Sequence, residues 1–278
     1  LGPLSIGVAA NVALSSLSST QATDPGVQLA DSNREGRTTL DVRGVHGAFA
    51  AGALLEAVPN RLWIGLSYQS QPALGVMRMD GTLRSTFQGA QSSLPVTVEQ
   101  GLPDIVRLGG RLRVSRYVET RVSGEFTRWS VLKSQCIVLN HAHCDVDASG
   151  ASPTGVVIQN IDRHWQDTWS ARVGVSIWLT NRIELLGGVT AETAAVPDQT
   201  LRPDLPDANS IAPSLGARFD LGGRWWLAAS YTHVQFLDRD NTGKSNLASA
   251  QLPTKWPDGG GQYAQWIGLL DLNVEKDF

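Results

Sequence analysis

Apolar and polar residues alternate one by one through much of this chain, most cleanly between Val106 and Trp129. Val106, Leu108, Gly110, Leu112 and Val114 share one phase, and after a turn at 115–117 Val118, Thr120, Val122, Gly124 and Phe126 share it again. The opposite phase carries Arg107, Arg111, Arg113, Glu119, Arg121 and Glu125. Successive strand side chains point to opposite faces, so this is a hairpin with one apolar and one charged face. The same period recurs where Trp169, Ala171, Val173, Val175 and Ile177 oppose Thr168, Ser170, Arg172, Gly174 and Ser176. It continues with Ile183, Leu185, Gly187 and Val189 opposing Glu184, Leu186, Gly188 and Thr190. The final segment sets Trp266, Gly268, Leu270, Leu272, Val274 and the terminal Phe278 against Gln265, Leu269, Asp271 and Asn273.

Extended over the whole chain, the pattern predicts ten strands, near 3–14, 45–57, 61–89, 103–114, 117–132, 161–178, 182–192, 208–221, 224–237 and 262–278. The third contains Pro72 and Gly75, which predicts a kink or bulge near QSQPALG. Tight turns at 59–60, 115–117, 179–181 and 222–223 alternate with long polar connections at 15–44, 90–102, 133–160, 193–207 and 238–261. An apolar face opposite a charged one fits either a soluble sandwich or a membrane barrel. Strict alternation of short and long connections favours an antiparallel up-and-down transmembrane β-barrel, with its short turns in the periplasm and its loops outside. In that setting Val118, Val122, Phe126, Trp169, Val173, Leu270, Leu272 and Phe278 face the membrane. Outer-membrane lipid and lipopolysaccharide are then the surroundings. The chain reads as a single barrel domain over 1–278.

Composition bears on this in three places. No run of about 18 apolar residues exists, which excludes a transmembrane helix but not a barrel. The net charge of −3 argues against nucleic acid as a partner. Nine tryptophans and 28 glycines suit a barrel, with indole rings expected at the membrane interfaces. The only cysteines, Cys136 and Cys144, bracket a short polar stretch and read first as a disulfide. A metal site with His141 and His143, or free thiols, are the alternatives; no metal and no cofactor is expected. The opening LGPLSIGVAANVAL lacks a basic leader and already alternates, so the chain reads as starting inside a sheet.

Several segments, in order, resemble the FadL/TodX family of outer-membrane transporters for hydrophobic compounds. They are RLWIGLSYQS, LPDIVRLGGRLRVSRYVETRVSGEFTRWSVL, HWQDTWSARVGVSIWLTNRIELLGGV, RPDLPDANSIAPSLGARF and the closing strand. The family barrel has fourteen strands behind a small plug, so the resemblance covers its last ten strands, without the plug and the first four. It implies an outer-membrane location and passive transport of long-chain fatty acids or similar hydrophobic small molecules. It also implies a ligand-collecting region between the loops at 15–44 and 90–102, from which LSSLSSTQATDPGVQLADSNREGR departs, being polar and without an obvious amphipathic helix to form a greasy groove. A last strand ending in an aromatic residue resembles the signal read by the barrel-assembly machinery. The alternative is a structural or receptor barrel, with a partner in a larger envelope complex.

On the lumen face, hairpin register places Arg113 across from Glu119 and Arg107 across from Glu125 as ion pairs. Arg111 then opposes Arg121, a repulsive pair unless an acid from another strand or a ligand headgroup intervenes. Together with Arg172 and Glu184 these residues are the candidate lumenal ligand site, weighed against a plain charge ladder in water. His46, His141, His143, His164 and His233 are scattered, and Asp162 beside His164 is too ordinary a pair to argue for an enzyme. The GGG at 259–261 has no phosphate-loop context, and DRDNTG at 238–243 lacks the later acid of a calcium loop, so both read as flexible loop.

Overall fold

The computed structural model describes residues 2–23, 36–87, 90–147, 152–246 and 259–276. Its strands are β1 (Leu4–Thr23), β2 (Gly36–Val58), β3 (Leu62–Gln69), β4 (Val76–Phe87), β5 (Ala90–Gly101), β6 (Ile105–Arg113), β7 (Val118–Thr127), β8 (Ser134–Leu139), β9 (Val157–Asp162), β10 (Thr168–Thr180), β11 (Ile183–Glu192), β12 (Ser210–Gly222), β13 (Trp225–Phe236), β14 (Arg239–Asp240), β15 (Gln262–Tyr263) and β16 (Trp266–Lys276). Ten of them form an antiparallel wall in the order β1-β2-β3-β6-β7-β10-β11-β12-β13-β16. The other four large-sheet strands, β4, β5, β8 and β9, extend from the outer half of β2 and bring the sheet to 14 strands. That total is not the family's fourteen wall strands, since only ten run along the wall. Among the described residues β1 and β16 do not pair with each other.

Short connections between wall strands all lie at one end, as the sequence predicts. Asn60, Gly222, Gly223 and Arg224 take positive φ there, which lets the chain reverse within a few residues. The kink is also present. β3 and β4 run in line along β2, pairing with Ala50–Val58 and Arg37–Arg43 respectively, and are interrupted around a short 3₁₀ turn at Pro72–Leu74. Ala73 and Leu74 have φ of 59° and 54°, and proline supplies no ladder donor, so pairing cannot continue through this stretch. Below the kink the line pairs with β6, and above it with β5. The sheet therefore divides at this height.

Burial is inverted relative to a soluble sandwich. Leu215 is 74% exposed, Leu270 73% and Val8 83%, whereas Glu119 on the opposite face is 0% exposed. Val122, Trp169, Val173 and Leu272 lie on the same open apolar face as Leu215 and Leu270; Val118 and Phe126 share that face but are half-buried. A face this apolar is stable in hydrocarbon and not in water. Phe278 lies outside the described residues. The tryptophans depart from expectation. Trp169, Trp225 and Trp266 face outward, but Trp63 pairs with Arg111 and Trp226 with Glu275, which puts both indoles on the charged face near the short turns. Trp178, paired with Glu184, joins them. An indole there packs on its flat face against a guanidinium instead of a headgroup: Arg111 sits 4.9 Å from Trp63 and Arg218 4.3 Å from Trp226.

Three predicted loops contain strands. β1 and β2 continue through most of 15–44, β5 occupies 90–101, and β8 and β9 flank the cysteine loop within 133–160. The alternation persists in these stretches with its polarity reversed. On β1 and β2 the outward residues are apolar up to Leu14 and Val45, which pair with each other. Their next outward neighbours, Ser16 and Arg43, are also a pair and are polar. Leu17, Leu40 and Val42 now point inward. Leu40, Val42, Met77, Met79, Val96, Val98 and Ile137 form a buried core there, with Leu17, Leu83 and Leu102 packed against it. Above the membrane the outer face meets water and the inner face no longer does, so the hydrophobic effect selects the opposite phase.

Candidate functional site

Residues 106–126 fold into the predicted hairpin, with Arg107 opposite Glu125, Arg111 opposite Arg121 and Arg113 opposite Glu119. Arg107 Nε donates to Glu125 at 2.5 Å. Glu119 does more than its register partner requires. Arg111 and Arg121 each reach it at 2.6 Å, while its opposite number Arg113 stands at 3.9 Å. The acid that separates Arg111 from Arg121 thus comes from the same hairpin, two residues before Arg121, and not from another strand or a ligand. A diagonal step across an antiparallel pair is within reach of arginine, which explains the geometry.

The predicted lumen residues then fall into two groups. Arg111, Arg121 and Arg172 line a cavity of about 750 Å³ whose other walls include Trp63, Leu186 and Gly188. Arg107 lines the adjoining part of the lumen, and Arg113 a recess at the short-turn end. Glu119, Glu125 and Glu184 line none of these cavities. Glu125 serves Arg107 and lies 4.0 Å from Arg172, and Glu184 is buried between Trp178 and Arg218. Gly65, Gly109, Gly174, Gly188 and Gly216 also border the large cavity. Small residues at mid-height on five strands widen it. His46 faces inward beside the kink, and its Nε2 has no partner among the described residues.

A second cavity lies above the first, lined in part by residues of the 15–44 and 90–102 segments. About 290 Å³ in volume, it is lined by Leu17, Leu40, Leu83, Val98, Ile137 and Ile161 together with polar residues such as Thr38, Gln135 and Gln159, and by Arg163, Arg202 and Asp204. The strands that carry the reversed polarity bring these residues together. Arg202 is matched by Asp204, its Nε and Nη2 each donating to one carboxylate oxygen at 3.0 and 2.9 Å. Arg163 donates to the neutral Gln135 at 3.0 Å and makes no salt bridge among the described residues. Burial lowers its pKa, Arg202 adds to this and Asp204 opposes it. Arginine stays protonated nonetheless, so the cavity has an apolar floor and one under-compensated cation. Sequence reasoning missed Arg163 because it fell within the strand expected at 161–178; the structure ends β9 at Asp162 and starts β10 at Thr168, and the β8–β9 hairpin brings the arginine over β2.

The loops around this cavity are fastened. Cys136 and Cys144 form the disulfide, and the loop between them folds over the outward side of β5. There Glu99 accepts from Arg78 at 2.7 Å, from the Cys144 backbone N–H at 2.8 Å and lies 3.1 Å from His143 Nδ1. The disulfide rather than a metal site is thus the correct reading of CIVLNHAHC. His164 Nε2 does reach Asp162 at 2.8 Å, but both side chains are open to solvent. The DRDNTG segment is held in place rather than loose. Asp198 takes Arg239 at 2.7 Å and Lys244 at 2.8 Å, and the fully buried Asn241 accepts from Gly261 N–H within the predicted glycine loop.

The family model described as outer membrane protein transport protein (OMPP1/FadL/TodX) matches residues 4–256. Among solved structures, a FadL homologue from Pseudomonas aeruginosa superposes with a TM-score of 0.71 at 16% identity, covering 99% of this chain and 63% of that one. The toluene transporter TodX of P. putida gives 0.61 at 13% identity, with 100% and 66% covered. The toluene transporter TbuX of Ralstonia pickettii gives 0.59 at 13%, with 99% and 64% covered. This chain thus spans just under two thirds of the length of these structures, and the likeness to them is one of fold. No curated protein sequence matches it. With an antiparallel wall, lipid-facing apolar rows and the family match over most of its length, the chain belongs to the OMPP1/FadL/TodX family of outer-membrane transport proteins.

Proposed function

We propose that this chain forms the wall and outer vestibule of a passive outer-membrane channel for hydrophobic small molecules that carry a carboxylate, long-chain fatty acids among them. The observation that carries this reading is the outer cavity, where six aliphatic side chains line the same space as Arg163, an arginine that makes no salt bridge among the described residues. A hydrocarbon would leave that half-buried guanidinium with only Asp204, already paired with Arg202, to offset its charge, at a cost in desolvation. A carboxylate would accept from it in a charge-assisted geometry while the acyl chain covers Leu17, Leu40 and Leu83. Below lies the larger cavity, whose arginines Arg111, Arg121 and Arg172 are partly neutralised by Glu119 and Glu125. Weak, repeated anchoring along the lumen lets a ligand enter and still leave.

The route needs no chemical step and assigns no catalytic role. The test is uptake by liposomes carrying the full-length protein, comparing a labelled long-chain fatty acid, its methyl ester and toluene. The acid is expected to enter fastest relative to empty liposomes. Equal rates for acid and ester would remove the carboxylate from the proposal, and no uptake of any of the three would favour a structural or receptor barrel.

A further inference from the structure

Each short turn of the wall carries an arginine at the start of the next rising strand; in three turns its neighbour is the first outward-facing strand residue, and in the fourth it is Tyr117, the last turn residue before β7. The four pairs are Arg61-Leu62, Arg116-Tyr117, Arg182-Ile183 and Arg224-Trp225. All four arginines are exposed, and none makes an ion pair among the described residues. Acids at this end are kept to the other side. Glu119, Glu184 and Glu275 lie on the lumen face, where Glu119 and Glu275 already serve lumenal arginines. Lys276 lies 4.9 Å from the outward-facing Trp225 ring, and in the turn before β7 Arg116 lies 4.5 Å from the Tyr117 ring, so cations and amphipathic aromatic rings lie together at this end. Leu62 and Ile183 begin the apolar rows of their strands at the same level.

We infer that this ring of turns is a binding surface for the headgroups of anionic phospholipids in the periplasmic leaflet. A phosphate one level below the acyl chains that cover Leu62, Ile183 and Trp225 would meet an arginine at every second strand boundary. Guanidinium binds phosphate with paired hydrogen bonds, and the aromatic rings sit at the headgroup level, so both halves of a lipid are accommodated. The placement of charge favours lipid over an acidic protein: Arg61 and Arg116 share one recess with Arg113, but Arg182 and Arg224 stand on separate turns, so the cations follow the turns along the wall. The inference does not depend on what passes through the lumen.

The test uses the full-length protein in a neutral detergent and titrates phosphatidylglycerol, phosphatidylethanolamine or phosphatidylcholine, counting bound lipids by native mass spectrometry. Each arginine near a negative headgroup is expected to contribute about fivefold at low salt, so phosphatidylglycerol should bind at least about tenfold more tightly than the other two. The R61Q/R116Q/R182Q/R224Q variant should lose that preference, and 0.5 M-range salt should weaken it in the native protein. The R37Q/R43Q/R84Q variant, which removes cations at the opposite end, should keep it. Heat-dependent migration on gels establishes that each variant is folded; if the fourfold variant is not, R61Q/R116Q and R182Q/R224Q replace it, each losing part of the preference. Equal binding of all three lipids, a preference untouched by these changes, or the same loss in the outer-end variant would overturn the inference.

Discussion

With three guanidiniums converging on a fully buried carboxylate, replacing Glu119 by Gln leaves Arg111, Arg113 and Arg121 repelling one another across one hairpin. The arginines themselves are about half exposed to the lumen, which tempers the penalty. E119Q is expected to destabilise the folded wall by about 2 kcal/mol, seen as an earlier urea midpoint in vesicles with unchanged slope. R121Q in the same background should recover part of the loss, because one repulsive partner is gone; additive losses would show that Glu119 does not act through these arginines. Arg163 has the opposite character, a cation awaiting a partner. R163L should weaken binding of a fatty acid to the full-length protein by about tenfold while leaving its methyl ester unchanged, measured by fluorescence displacement.

At the scale of elements, the hairpins of the wall were legible because lipid on one side and lumen on the other impose opposite requirements on alternate residues. V122R puts a cation on the lipid row of β7 and is expected to cost about 2–4 kcal/mol, read as loss of the heat-modifiable folded band in vesicles. What was not legible follows from the same physics. Residues 15–23 and 36–44 read as loop because a strand standing in water has a polar outer row, and SSLSSTQ carries too few large apolar residues to announce the inner one. Arg163 and Leu17 belong to one cavity only through the pairing of β8 with β5 and of β4 with β2, contacts that no local pattern encodes. The outer clasp on Asp198 makes a pH prediction. Lys244, and then Arg239, hold its carboxyl below the ordinary aspartate value of 3.8 despite the opposing effect of burial. Its stabilisation is complete above that value and is lost as pH falls through the lowered folded value. Amide exchange in 197–207 and 239–244 should therefore stay protected down to about pH 4 and rise below it, after correction for intrinsic rates.

For the whole molecule, the apolar core and the apolar exterior are separate: the first lies above the membrane and the second faces it. Stability of the outer part can then be lost without loss of the wall. C136S/C144S is expected to loosen the cysteine loop by about 2–3 kcal/mol, raising protease cutting near 140–145 while the wall keeps its folded migration. Simultaneous collapse of both would mean that the outer sheet and the wall fold as one unit.

β1 and β2 remain in register over 20 consecutive pairs, from Leu4 with Leu55 to Thr23 with Gly36. Leu17, at the outer cavity, and Ala9, on the lumen face lower down, are therefore points on one unbroken ruler, about 26 Å apart along the strand. Lengthening both strands by two residues between these points would move the vestibule outward with every side chain still facing its proper solvent; lengthening them by one would turn the vestibule inside out. A change in the reach of this outer end that keeps every side chain facing its proper solvent therefore comes in steps of two residues per strand.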